Sequence, residues 1–570
     1  MGSKRKKKKS KLEAIKEESD YLRGPLAEEL GNDEDHFGKE ALQVLKFHGS
    51  YQQDDRDQRK GRDKHWMFMI RGKVPGGRIT GDQYLALDNI VDEYGDNTLR
   101  VTTRQSFQLY GVIKKDLKKT MQAINDAMIT TIGACGDIVR NVMATPAPDI
   151  DGKQAKVQEF ADELSDILLP ATKAYHEIWL DGEKVYSGKE EVTETEGEPL
   201  YGDAYLPRKF KIGVALPKDN SIDLYTQDIG LVALFNDDNE IEGFNVVVGG
   251  GMGMNHRKES TFPRLADDLG YVSKENIVEI VKGIIEIQRD HGDRKNRRQA
   301  RMKYLLHDWG VAKFQDELEQ RTGIELEPYR ELPEFVLDLY LGWHQQSDGN
   351  WFLGLSIENG RIKDTDEYPL KTALRETVTK YKPGVRFTPN HNVLLTDIRE
   401  EEKAGVEEQL KKYGISWGEE YSNLLKFAMA CPALPTCGLA ITESERIFPE
   451  VIRDLEEVVA ELGLEDEELS VRMTGCPNGC ARPYVADIGF VGQSLNKYAI
   501  FIGGDPSGTR LNKEYKDLVE LEDLVNEVRP ALEYFKENRI NGESFGDFWE
   551  RNGLELLAEE EDKSEEVELT

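Results

Sequence analysis

The chain has 570 residues, of which 38% are hydrophobic and 32% charged, and its formal net charge is −32. One core cannot serve that length, so roughly four domains are expected. An excess of acid this large excludes a general nucleic-acid binder, and no apolar run reaches the ~20 residues that would cross a bilayer as a helix.

The chain opens with Lys4-Arg5-Lys6-Lys7-Lys8-Lys9, followed by the charged stretch Lys11 to Glu18 where a secretory signal would be apolar. A basic, disordered start to an N-terminal arm (residues 1–65) is expected. A cytoplasmic, reducing compartment is expected, where clustered cysteines suit metal or redox chemistry better than disulfides. Apolar spacing predicts helices over Lys115–Ala127, Asn276–Gln288, Glu443–Leu462 and Leu521–Glu537. Phe210, Ile212, Val214 and Leu216 alternate with Lys209, Lys211, Gly213 and Ala215, the pattern of a half-buried strand. Tyr186 to Pro199 reads as an exposed loop and Glu559 to Glu568 as part of an acidic tail (556–570). Strand and helix patterns mixed in this way give an α+β fold.

Five echoes in one order show an internal duplication. Gly77-Arg78-Ile79 returns as Gly360-Arg361-Ile362, Arg100-Val101-Thr102 as Arg386-Phe387-Thr388, and Met143-Ala144-Thr145-Pro146-Ala147 as Met429-Ala430-Cys431-Pro432-Ala433. The last two are equally far apart in both copies. Asp228-Ile229-Gly230 matches Asp487-Ile488-Gly489, and Gly249-Gly250 matches Gly503-Gly504. Two long copies indicate a pseudo-twofold pair of large units; a solenoid needs shorter and more numerous repeats.

Four of the five cysteines form two close pairs, Cys431 with Cys437 and Cys476 with Cys480. Four thiolates can hold a 4Fe–4S cluster. A structural zinc is the alternative, although its pairs are usually tighter than the first one here. Thr145 stands where Cys431 does in the other copy, so only the second half can hold such a group. Cys135 stands alone and reads as a packing residue.

Basic residues recur at strand spacing in the first half. Arg100, Thr102 and Arg104 share one side of a strand on this reading, as do Lys209 with Lys211 and Arg71 with Lys73, and Arg140 precedes the Met143 echo. Arg294 to Lys303 adds six basic residues in ten. Together they describe a positive basin suited to carboxylates and small oxyanions. Gly249-Gly250-Gly251-Met252-Gly253 lacks the third glycine of a dinucleotide fingerprint, and no phosphate-binding loop motif is present. Electrons are therefore expected from another polypeptide.

In Tyr21-Leu22-Arg23-Gly24, in the run His48 to Asp57, in Tyr205 to Lys211, in Gly249 to Met254 and in Thr474-Gly475-Cys476-Pro477-Asn478-Gly479-Cys480, the sequence resembles the siroheme sulfite and nitrite reductase family. Within that family it is most similar to the hemoprotein subunits of NADPH-dependent assimilatory sulfite reductases, nearly end to end. The resemblance implies two ferredoxin-like repeats (66–142 and 331–400) and two siroheme-binding α+β units (143–330 and 401–555). It implies that Cys431, Cys437, Cys476 and Cys480 bind a 4Fe–4S cluster and that Cys480 is also the axial ligand of siroheme. Arg71, Arg140, Lys209 and Lys211 match the substrate positions, while Arg100, Arg104 and Asn478 are expected at the siroheme. The implied reaction is six-electron reduction of sulfite to sulfide for cysteine biosynthesis. The implied partner is a flavoprotein subunit carrying FAD and FMN that oxidises NADPH. Nitrite reduction and a ferredoxin donor are the alternatives, and no residue separates them.

Overall fold

The computed structural model describes residues 10–172, 198–418, 420–554 and 556. The basic run Lys4 to Lys9 and the acidic run Glu559 to Glu568 lie outside them, as does the expected loop Tyr186–Pro199 except for its last two residues. Of those, Glu198 is buried and accepts a bond from Ala171 N at 2.9 Å.

The described strands make four five-stranded sheets in two matching pairs. The first pair is antiparallel. One sheet runs Ser50–Asp54, Trp66–Arg71, Phe107–Val112, Leu99–Val101, Arg361–Ile362. The other runs Gly342–Gln345, Trp351–Leu355, Val393–Ile398, Gly384–Phe387, Arg78–Ile79. Each takes its last strand from the other half of the chain, with Arg361 opposite Arg100 and Arg78 opposite Arg386. The Gly-Arg-Ile echo is thus a reciprocal exchange of strands. Its glycines are required by close approach: Gly77 and Gly360 have φ of +77° and +73°. A Cβ on Gly360 would stand 2.5 Å from the Val101 carbonyl, and one on Gly77 would strike the equivalent Phe387 carbonyl.

The second pair of sheets is mixed. Met143–Ala144, Ile212–Ala215 and Ile229–Phe235 are parallel neighbours, extended by antiparallel Ile241–Val248 and Asp267–Ser273. Met429–Ala430, Val471–Thr474, Ile488–Ser494, Lys497–Ile502 and Lys513–Glu520 repeat that order. Helices supply the apolar cover: Phe448–Leu462 buries Val451, Ile452, Leu455, Val458, Val459 and Leu462 along one face. One apolar core runs from Leu22 to Ile415, and a second lies within Leu424 to Trp549.

Several expected elements move. The helices span Lys114–Asp126, Ile277–His291, Phe448–Leu462 and Leu524–Asn538. The third starts five residues late because Thr442 to Glu445 spend their backbone bonds elsewhere: Thr442 N goes to Gly475 O, Glu445 N to Cys431 O. The alternating stretch at 210–216 is not half-buried. Ile212–Ala215 is buried at all four positions, as an interior parallel strand covered on both faces must be. The charged stretch Lys11 to Glu18 is ordered and packed. Lys11–Glu17 is a helix capped by Ser10, with Glu13 only 4% and Lys16 only 2% exposed.

Candidate active site

The four paired cysteines leave the same end of one sheet. Cys431 follows Met429–Ala430, and Cys476 and Cys480 follow the adjacent parallel strand Val471–Thr474. Cys431 N donates to Met473 O at 3.1 Å, just as Thr145 N donates to Val214 O at 3.2 Å in the other half. Gly475 N points at Cys431 Sγ (3.4 Å) and Asn478 Nδ2 at Cys476 Sγ (3.4 Å), bonds that favour thiolates.

Burial pushes the Cys431 and Cys437 thiols up and Cys476 up to about 12, and in each case the Cys480 charge pushes further. Thiols that raise one another ionise together only around metal charge. Four thiolates are the donor set that a 4Fe–4S cluster takes.

Cys480 is the exposed member of the set. Its charge reaches the basic basin as well as the other thiols. Burial opposes the Arg71 charge, yet Cys135, Tyr51, Tyr110 and Cys480 hold its pKa above the ordinary value. Burial, then Arg208 and Arg301, push Lys209 down to about 7 against the pull of Cys480. Burial, Arg104, Lys209 and Arg301 hold Lys211 well below its usual range. Arg140 is fixed by Gly136 O at 2.8 Å and Ala134 O at 3.3 Å, the carbonyls either side of Cys135. Arg71, Arg140, Lys209 and Lys211 lie within electrostatic reach of one another around Arg104: Arg71 and Arg140 act on Arg104, Arg104 and Lys209 on Lys211, and Arg140 on Lys209.

Spacing missed some of the wall. Tyr51 bonds Arg140, and buried Cys135 is near enough to act electrostatically on both Tyr51 and Arg71. Asp228 is the buried counter-charge, accepting Lys211 N at 2.9 Å and Arg301 Nη2 at 2.8 Å. The run Arg294 to Lys303 is not one patch: Arg294 bonds Glu13, Arg297 bonds Asp137, and Arg301 bonds Asp228. Lys303 Nζ holds the glycine-rich loop through Gly251 O (3.0 Å) and Gly253 O (2.7 Å). That loop abuts the cysteine loop, with Met254 N on Pro477 O at 3.0 Å.

Other expected placements change. The strand carrying Arg100 ends at Val101, and Gln105 turns with φ of +50°, so Arg100 and Arg104 diverge. Arg104 stays beside the basin, donating to Gln227 Oε1 at 2.7 Å and Ile212 O at 3.2 Å. Burial first, then Arg140, lower its pKa to about 9. Arg100 turns away to Glu445 Oε2 (3.1 Å) and Ala430 O (2.9 Å), beside Cys431. Asn478 bonds a cysteine sulfur. Lys73 leaves the strand after Arg71 and reaches Ser165 O at 3.1 Å, outside the basin.

Residues 161–326 and 426–569 match the nitrite and sulphite reductase 4Fe-4S domain, and residues 59–127 and 344–413 match the nitrite/sulfite reductase ferredoxin-like half domain. The chain belongs to the nitrite and sulfite reductase family. Each domain type occurs twice, in step with the duplication. A ferredoxin-type sulfite reductase of Synechococcus elongatus is 50% identical over 96% of this chain and 90% of its own length. The NADPH sulfite reductase hemoprotein beta-component of Staphylococcus haemolyticus is 45% identical, covering 96% of each chain. The NirA protein of Mycobacterium tuberculosis has the same fold, with a TM-score of 0.75 at 22% identity over 95% of this chain and 96% of that one. No helix among the described residues is long and apolar enough to cross a membrane.

Proposed function

We propose that this member of the family carries out the six-electron reduction of sulfite to hydrogen sulfide, with siroheme and a 4Fe–4S cluster held against Cys480. One observation carries the reading: Cys480 is the exposed thiol, and its charge acts both on the other three cysteines and on Arg71 and Lys209. The thiol set and the basic basin are therefore both within electrostatic reach of this one sulfur.

Bound there, siroheme would supply the redox chemistry of its iron, and its carboxylates would need cations beside them. The protein supplies them: Arg104 and Arg301 sit beside the basin for carboxylates, while Arg71, Arg140, Lys209 and Lys211 hold the oxyanion. Lys209, pushed down to about 7, is poised to give protons as the oxygens leave as water. Arg100 and Asn478 act from behind, fixing the backbone before Cys431 and the sulfur of Cys476.

Relatives named for NADPH support a flavoprotein donor, and a cytoplasmic location with sulfide passing to cysteine synthesis belongs to this reading. The cyanobacterial relative, at 50% identity, favours a second reading in which reduced ferredoxin is the donor. The test is anaerobic iron, labile-sulfide and siroheme analysis, followed by turnover of sulfite and of nitrite with each donor. The proposal expects the absorption spectrum of siroheme, more efficient turnover of sulfite, and loss of both in Cys480→Ser. A sample without tetrapyrrole, or one that prefers nitrite, overturns it.

A further inference from the structure

The N-terminal helix Lys11–Glu17 lies far from the cysteines in sequence, yet it is bonded to the segment that delivers the basin's lysines. Lys16 Nζ, almost wholly buried, donates to Leu206 O at 2.8 Å. Around it stand Glu13 at 2.6 Å and Asp137 at 3.6 Å. Glu13 takes Arg294 at 2.5 Å, and Asp137 takes Arg297 at 2.7 Å and 3.0 Å.

These five charges hold the backbone of 204–207 carbonyl by carbonyl. Arg294 donates to Ala204 O (3.4 Å) and Tyr205 O (2.6 Å), Lys16 to Leu206 O, and Arg297 to Pro207 O (3.3 Å). The next residues are Arg208, Lys209, Phe210 and Lys211. Their partner segment is tied to the same network. Leu206 N donates to Asp137 O at 2.9 Å, Phe210 N to Ile138 O at 3.1 Å, and Arg140 N to Phe210 O at 2.8 Å. Arg140 and the two lysines thus leave one short ladder whose end is clamped by the N-terminal helix.

Compared with apolar packing, a buried charge network contributes little net stability. What it does supply is direction, because each bond fixes one carbonyl in one orientation. A basin that must place several cations within a fraction of an ångström around a small oxyanion needs that rigidity.

We infer that the helix Lys11–Glu17 is a strap that sets the substrate lysines, and that Lys16, through its bond to the Leu206 carbonyl, is a positioning residue for sulfite binding. The inference rests on the reading that Lys209 and Lys211 hold the substrate anion. Sequence spacing does not reveal it, since the helix resembles any charged N-terminal stretch.

The experiment compares Lys16→Met, Lys16→Arg, Glu13→Gln and Lys211→Met in the full-length chain. Amide hydrogen exchange at Leu206 and Phe210 is measured without substrate, and sulfite affinity of the holoenzyme by the change in its visible absorption. In Lys16→Met the two amides exchange faster and sulfite binds about tenfold more weakly, while iron and siroheme contents hold; Lys16→Arg restores both. Glu13→Gln moves both readouts the same way by less. Unchanged exchange and affinity in Lys16→Met overturn the strap, as does loss of fold or cofactors in both Lys16→Met and Glu13→Gln, which assigns the network to folding alone. Lys211→Met tests the underlying reading separately. If it leaves sulfite affinity intact, that reading fails whatever Lys16 does. If Lys211→Met weakens binding and Lys16→Met does not, only the strap fails.

Discussion

Asp223 and Arg482 are counterparts across the duplication, and they are bonded to each other. Each lies five residues before the Asp-Ile-Gly echo, each takes a left-handed conformation (φ +48° and +56°), and each opens a three-residue 3-10 turn, Leu224–Thr226 and Pro483–Val485. Equivalent residues that touch lie beside the axis relating the halves. Arg472 Nη1 adds a second guanidinium, 3.2 Å from the same carboxylate oxygen of Asp223.

Asp223→Asn should therefore destabilise the whole chain. Asparagine tolerates the left-handed backbone and keeps the shape, but it strips the counter-charge from two buried arginines. Breaking a buried pair costs about 3–5 kcal/mol, which should show as a lower midpoint in chemical or thermal unfolding. An unchanged midpoint would mean that the guanidiniums find other partners.

Glu445 performs a comparable task next to the cluster. Its carboxylate accepts Arg100 Nε at 3.1 Å and Arg361 Nε at 2.7 Å, one arginine from each half, while its N–H holds Cys431 O at 3.1 Å. Arg361 and Arg100 are also paired in the exchanged sheet. In Glu445→Gln, iron should be released to a chelator several times faster than in the unaltered protein. The KM for sulfite of the intact fraction should stay the same. A raised KM with normal iron retention would place Glu445 in the substrate basin instead.

Sulfite binding should bring protons with it. Lys209 sits at about 7 because burial and neighbouring cations disfavour its charge, and an anion in the basin favours that charge. The pKa then rises on binding, so above about pH 7 the complex takes up protons and affinity falls as pH rises. Calorimetry in two buffers of different ionisation enthalpy reads the proton number. Lys209→Met should reduce it, and an equal uptake in that variant would assign the proton to another group.

Gly475→Ala tests how tightly the cysteine loop is packed. A Cβ there would stand 2.5 Å from Ala433 Cβ and closer still to the Thr442 carbonyl, so the backbone must shift. The same residue's N–H points at Cys431 Sγ at 3.4 Å. The variant should assemble with well under the usual iron and labile sulfide while its circular dichroism stays native. Full cluster content would show that the loop has slack.

Much of the architecture was written in local chemistry. The echoes located both halves, and apolar periodicity found four long helices to within a few residues, because amphipathic helices advertise their buried face. Paired cysteines in the second half, and basic residues recurring at strand spacing in the first, also left a mark. What stayed hidden depended on partners remote in sequence. Arg100 looks like Arg104 until Glu445 draws it away, and Lys16 looks solvent-facing until Leu206 and Asp137 arrive. Spacing also assumes that strands continue; the turn at Gln105 and the exit of Lys73 broke that assumption.

The exchanged strands carry an implication for the origin of the chain. A lone half would end its antiparallel sheet one strand short, with an open edge inviting a partner. Two identical halves would satisfy each other only as a swapped dimer. The present chain is therefore laid out as such a dimer fused end to end, in which symmetry has ceased to bind the two sides alike. One side was then free to keep the thiolates and the other to gather the cations.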